Sequence, residues 1–199
     1  MAKKHNLVFV PGIGGVTLGF TLVSRLWKRY GFVVHIHDMG LRDGENTFVP
    51  KLKKLVLLID TLHKHGDLVS LLGTSAGASA VLNAYYERKE SIHRVVNVCG
   101  RLRSGIHVYP SLGAASRNSP AFKESVLLFE KRERLFTKIE RSKVLTMRAL
   151  FDELVPSSTS ILRGAINIQI PSVEHVLSIV SALTIYNRPI RAFLREKDE

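Results

Sequence analysis

Continuous apolar runs alternate along this chain with stretches whose apolar positions recur every three or four residues. Residues 7–10, LVFV, end at Pro11-Gly12 and predict a buried strand closed by a turn. Residues 18–30 have the other period, with Leu18, Leu22 and Leu26 beside Phe20, Val23 and Trp27, and stop at Gly31. That spacing gathers the apolar side chains on one side of a helix. Residues 32–37, FVVHIH, predict a second strand. Residues 49–66 return to helical spacing through Leu52, Leu55, Val56, Ile59 and Leu62, with Pro50 in the first turn and Gly66 at the end. Strands are predicted over 67–73, 94–100, 143–150 and 165–170. A helix is predicted over 76–89, and a closing helix from His175, broken near Pro189.

Several of these six strands are apolar on both faces and alternate with helices. That is the pattern of a mostly parallel sheet covered on both sides, a three-layer α/β arrangement with right-handed crossovers. One domain over residues 1–199 is expected. Residues 101–142 are the irregular part: a loop, YPSLGAASRNSP, precedes one charged helix, AFKESVLLFEKRERLFTKIE. They form either a small cap over a site or a long crossover.

Composition narrows the chemistry. A chain of 199 residues that is 45% hydrophobic can bury a substantial core. Its apolar runs are too short for a transmembrane segment, and four apolar residues after Lys3-Lys4 are too few for a signal peptide. The single cysteine, Cys99, excludes an internal disulfide and fits a reducing compartment, so a cytoplasmic location is expected. Cys99 itself sits in an apolar strand and reads as a buried packing residue. The net charge of +12 is spread along the chain without interleaved aromatics, so no nucleic-acid partner is expected. No Cys/His group has zinc spacing, and no metal is expected. Gly12-Ile13-Gly14 lacks the third glycine of a dinucleotide fingerprint and no Gly-Lys-Ser/Thr occurs, so no cofactor is expected either.

Two glycine turns remain. Gly12, Gly14 and Gly15 follow the first strand, where glycines let backbone amides approach a substrate closely. Gly73-Thr74-Ser75-Ala76-Gly77 lies between an apolar strand and an alanine-rich helix. In that context G-x-S-x-G is a sharp turn that presents its serine at the carboxyl end of a strand. A serine hydroxyl needs a base, and the base needs an orienting acid. Among eight histidines, His175 alone follows a late strand and opens the final helix. Asp152 lies just past the end of its strand, before Pro156. Candidate chemistry therefore runs in the order Ser75, Asp152, His175.

With that order the chain resembles a small α/β-hydrolase of the serine esterase and lipase kind over nearly its whole length. FVPGIGG resembles the oxyanion turn with Pro11 in place of the usual histidine, HIHDMGLRDG the following loop, GTSAG the nucleophile elbow, FDELVP the acid loop and EHVLSI the histidine loop. The resemblance implies oxyanion donors on the backbone of Ile13 and Ala76, and a structural role for Asp38. The chain departs from the family in lacking its first two strands. GTSAGA also resembles the patatin elbow, but the glycine turn here is about 60 residues upstream, too far for that family.

The implied activity is hydrolysis of a small-molecule carboxylic ester through an acyl-enzyme. The same triad also serves thioester or amide hydrolysis, acyl transfer to an alcohol, or, if silent, binding alone. Residues 101–143 carry ten Lys/Arg and four Glu. Over the site they would make a basic cover, which predicts soluble short-chain esters, a preference for anionic ones, and no broad apolar surface for lipid.

Overall fold

A computed structural model of the chain describes residues 3–16, 18–44, 46–64 and 66–196. Six strands, β1 (His5–Val10), β2 (Val33–Ile36), β3 (Leu68–Thr74), β4 (Val95–Val98), β5 (Val144–Phe151) and β6 (Ile166–Val173), form one sheet in the order β2-β1-β3-β4-β5-β6. Every neighbouring pair is parallel. The helices are α1 (Leu18–Arg29), α2 (Val49–His63), α3 (Gly77–Glu87), α4 (Leu112–Ala115), α5 (Pro120–Glu133), α6 (Lys138–Ser142), α7 (Ser157–Ser160), α8 (His175–Thr184) and α9 (Arg188–Arg195).

Alternation along the strands sorts the core into two layers. Leu7, Phe9, Leu72, Val96, Val98, Leu145 and Met147 pack against Val23 and Trp27 of α1, Leu183 of α8 and Phe193 of α9. Val8, Val10, Val69, Leu71, Val95 and Val144 face the other way, against α2, α3 and α5 through Leu55, Ile59, Val81 and Val126. The chain turns outward to β2 on one side of β1 and to β3 on the other. The carboxyl ends of β1 and β3 therefore flank a crevice with no crossover above it, where ligands settle in open α/β sheets.

One predicted helix is broken where no break was expected. Residues 121–140 form α5 and α6, not one helix. Phe136 between them is buried against Tyr85, Tyr86 and Phe129. Thr137 and Glu140 then form a reciprocal capping box that starts α6. The closing helix breaks at Ile185–Asn187, near Pro189 as expected, and Pro189 sits in the first turn of α9, where its missing N–H has no helical partner to lose. His65, read at the end of the second helix, lies outside the described residues.

Candidate active site

Ser75 sits between β3 and α3 with φ 51°, a left-handed conformation that a side chain seldom adopts. Its amide donates to the Val98 carbonyl at 3.0 Å, which ties the elbow to β4. The elbow glycines are required by close approach. A Cβ on Gly73 would lie 2.6 Å from the Gly77 carbonyl oxygen, and one on Gly77 would lie 2.2 Å from the Val10 oxygen. Gly100, which the sequence reading passed over, is confined in the same way, 2.6 Å from the Ser75 carbonyl oxygen.

The loops after β5 and β6 bring the other two residues to this turn. Ser75 Oγ is 2.8 Å from His175 Nε2, and His175 Nδ1 is 2.8 Å from Asp152 Oδ2. A carboxylate can only accept, so Nδ1 carries the proton and Nε2 of the neutral ring accepts from the Ser75 hydroxyl. The side chains of His175 and Asp152 are both buried. Asp152 is held by its second oxygen, which accepts from the amides of Leu154 and Val155 at 2.9 and 2.8 Å.

Two glutamates place the histidine. Glu153 accepts from the His175 amide at 3.0 Å. Glu174, at φ 77°, caps α8 by accepting from Val176 and Leu177. Those two bonds also hold its carboxyl below the ordinary range. The Glu174 cap has a legible signal, an acid directly before a helix. Glu153 has none, because its contact depends on how two loops meet.

Ile13 occupies the turn closed by the Gly15 amide on the Gly12 carbonyl, and Ala76 opens α3. Both line the crevice beside Ser75, and neither amide donates elsewhere among the described residues. Asp38 lies in the adjoining loop, where its carboxylate accepts from the Gly40 amide at 2.9 Å. The remaining candidates sit apart. Ser79 is buried and bonded to Ser125. His107 is in an exposed loop. His5 opens β1 and His93 lies just before β4, both at the amino edge of the sheet, and His35 lies within the edge strand β2. Cys99, buried beside the site, has its thiol pushed up to about 12 by burial and by the nearby Asp152 carboxylate. It therefore stays protonated and inert. No group of three or more His, Cys, Asp or Glu among the described residues is arranged to hold a metal ion.

The crevice opens into a cavity of about 640 Å³ between α1 and α8, floored by Ser75 and walled by Phe20, Val23, Ile179 and Leu183. Residues 101–142 contribute Arg101, Pro110, Ala114, Ala115 and Phe122 to its wall. This corrects the expectation of a basic cover. The Arg101 guanidinium is buried and donates to the carbonyls of Arg103, Ser104 and Pro110. Arg103, Arg132 and Arg141 pair with Glu133, Glu87 and Glu133 away from the cavity. Leu154, Val176 and Val180, each exposed in large part, add apolar side chains to the cavity wall.

This is the α/β-hydrolase fold. No family model matches the chain, and no curated protein matches it by sequence. Solved structures match it nearly end to end. One comes from the metagenome-derived lipolytic enzymes LipS and LipT, with TM-score 0.70, 15% identity, and 98% of this chain and 95% of that one covered. A monoacylglycerol lipase of Paleococcus ferrophilus matches with TM-score 0.70, 17% identity, and 95% and 93% covered. Est1E of Butyrivibrio proteoclasticus matches with TM-score 0.67, 14% identity, and 96% and 87% covered. Among the described residues no helix is long and apolar enough to cross a membrane.

Proposed function

We propose that this chain is a serine hydrolase that cleaves carboxylic esters through an acyl-enzyme. The observation that carries the reading is the unbroken relay of two 2.8 Å contacts, Ser75 Oγ to His175 Nε2 and His175 Nδ1 to Asp152. Ser75 Oγ bonds to the ester carbonyl carbon as its proton passes to His175 Nε2. The carbonyl oxygen becomes an oxyanion facing the amides of Ile13 and Ala76, each such donor typically worth about 3–4 kcal/mol. His175 returns the proton to the departing alkoxide, leaving an acyl-Ser75 ester and a free alcohol. Water, deprotonated by the same nitrogen, attacks that ester and releases the acid, and the proton returns to Ser75. Asp152 keeps Nδ1 protonated throughout. Solved neighbours described as lipolytic, and as a monoacylglycerol lipase, support ester substrates at the level of fold.

Ser75→Ala is expected to retain the fold and lose p-nitrophenyl ester turnover and labelling by a serine-directed phosphonate. His175→Ala should fall nearly as far, and the double variant no further, because the relay acts as a unit. Asp152→Asn should lose less. Labelling at Ser79, or turnover unchanged in Ser75→Ala, would refute the assignment.

A further inference from the structure

The cavity over Ser75 is built from both core layers of the sheet. Phe20, Val23, Ile179 and Leu183, from α1 and α8, belong to one layer, and Ala115 and Phe122, from α4 and α5, belong to the other. Ser75 lies on the floor between them. The two ends differ in charge. The α1–α8 end is walled by apolar side chains. The α4–α5 end carries two arginines. Ser119 at the start of α5 ties down the loop of Arg42, and Arg101 donates to the Pro110 carbonyl just before α4. No Asp or Glu among the described residues lines the cavity.

Arg42 is fixed at its backbone and unpaired at its guanidinium. Lys51, buried in α2, donates to the Gly40 carbonyl at 2.8 Å and to the Asp43 carboxylate at 2.7 Å. The buried Ser119 hydroxyl donates to the Leu41 carbonyl at 2.8 Å. The backbone on both sides of Arg42 is therefore held from within, and the loop in turn supplies the oxygens that a buried ammonium requires. The carboxylates closest to it in sequence are engaged, Asp43 by Lys51 and Asp38 by the Gly40 amide. The exposed Arg42 side chain has no hydrogen bond or ion pair among the described residues. Arg101 adds a second positive charge from the buried side. It donates to three carbonyls and forms no ion pair among the described residues. Glu130, whose charge favours the Arg101 guanidinium, is bonded to the Ser104 amide and hydroxyl instead.

A guanidinium presents paired N–H donors that match two oxygens of a carboxylate or phosphate. An ionic group at the α1–α8 end would lose its hydration with no partner to replace it. We infer that this site selects esters with an apolar chain on one side of the scissile bond and an anionic group, carboxylate or phosphate, on the other, and that Arg42 is the residue that recognises the anion. The chain lies against Phe20, Ile179 and Leu183, the ester stands over Ser75, and the anion meets Arg42 at the rim. Arg101, held by its carbonyls, supports the anion through its charge. The inference deepens the esterase reading and rests on it only for which bond is cut.

Calorimetric titration of the Ser75→Ala chain tests it without turnover. One pair of probes is hexyl hydrogen succinate and its uncharged isostere hexyl levulinate, which place the carboxylate on the acyl side. The other is hexanoylglycerol phosphate and hexanoylglycerol, which place the phosphate on the alcohol side. The anionic member of at least one pair is expected to bind at least about tenfold more tightly than the neutral member, and that pair identifies the anion. Arg42→Gln in the same background should bring the two members to the same affinity. Arg42→Lys should keep part of the difference, because it retains the charge and loses the paired donors. An unaltered midpoint of thermal unfolding shows that both variants are folded. Equal affinity within both pairs, or no binding of any probe, overturns the inference, as does a preference that survives Arg42→Gln. Turnover by the parent chain separates the two readings. An Arg42-dependent preference without cleavage of any ester overturns the esterase reading and leaves the anion site standing, whereas cleavage with no preference in either pair does the reverse.

Discussion

Ser75 holds its left-handed φ because the residues around it leave the elbow no room to relax. The strictest contact is at Gly77, where an added Cβ would meet the Val10 and Pro11 carbonyl oxygens at 2.2 and 2.6 Å. These are backbone atoms of the strand that carries the Ile13 turn, so they cannot swing aside. Gly77→Ala is expected to cost about 2–3 kcal/mol of stability, seen as a lower midpoint in denaturant, and to reduce kcat by moving Ser75 relative to Ile13. A variant of unchanged midpoint and activity would mean that the elbow is looser than these distances imply. At this scale the glycines, Ser75, Asp152 and His175 were legible because each has a local signature: a turn after a strand, or a titratable residue just past one. Glu153 and Gly100 were not, since what confines them comes from segments distant in sequence.

The elements show how one polar side chain can hold two of them together. Ser119 caps α5 by accepting from the Phe122 amide at 3.3 Å, and its hydroxyl donates to the Leu41 carbonyl at 2.8 Å. It thereby fixes the start of the crossover helix to the loop that carries Arg42. Ser119→Ala removes the cap and leaves a buried carbonyl unpaired. Thermal unfolding should report a loss of about 1–2 kcal/mol, with the proposed p-nitrophenyl ester turnover retained at low temperature. The strands and the long helices followed from period alone. The break between α5 and α6 did not, because the periodicity of 121–140 runs through it. A buried Phe136 and the Thr137–Glu140 capping box decide where α5 stops, and the first depends on Tyr85 and Tyr86 from α3.

Over the whole molecule, the two ends of the sheet have opposite tasks. The carboxyl end brings Ser75, His175 and Asp152 together, and the amino end holds the partly buried His5. His5 bonds to Ser70 at 2.8 Å and packs edge-on to Phe32 and His93. Burial, and then the proximity of His93 and Arg195, lowers its pKa to about 4. The unfolded chain binds that proton more readily, near the ordinary value of 6.5. Its contribution is therefore complete above about pH 6.5 and is lost as pH falls toward 4. His35, lowered chiefly by burial, acts in the same direction. The midpoint of thermal unfolding should drop between pH 7 and pH 4.5 by an amount corresponding to roughly 1–3 kcal/mol, and less steeply in His5→Gln. A midpoint flat across that range would refute the assignment. Sequence by itself determined the alternation of strand and helix, the parallel sheet and the placement of Ser75, Asp152 and His175 just past strand ends, because hydrophobic period and turn chemistry are local properties of the chain. Tertiary structure alone decided which charges face the cavity and which are spent on partners. It also decided where the apolar side chains of α1 and α8 end up. Both outcomes depend on which surfaces meet after folding, and the basic residues of 101–143 and the leucines of α1 look the same in sequence whether they line a site or cover a flank.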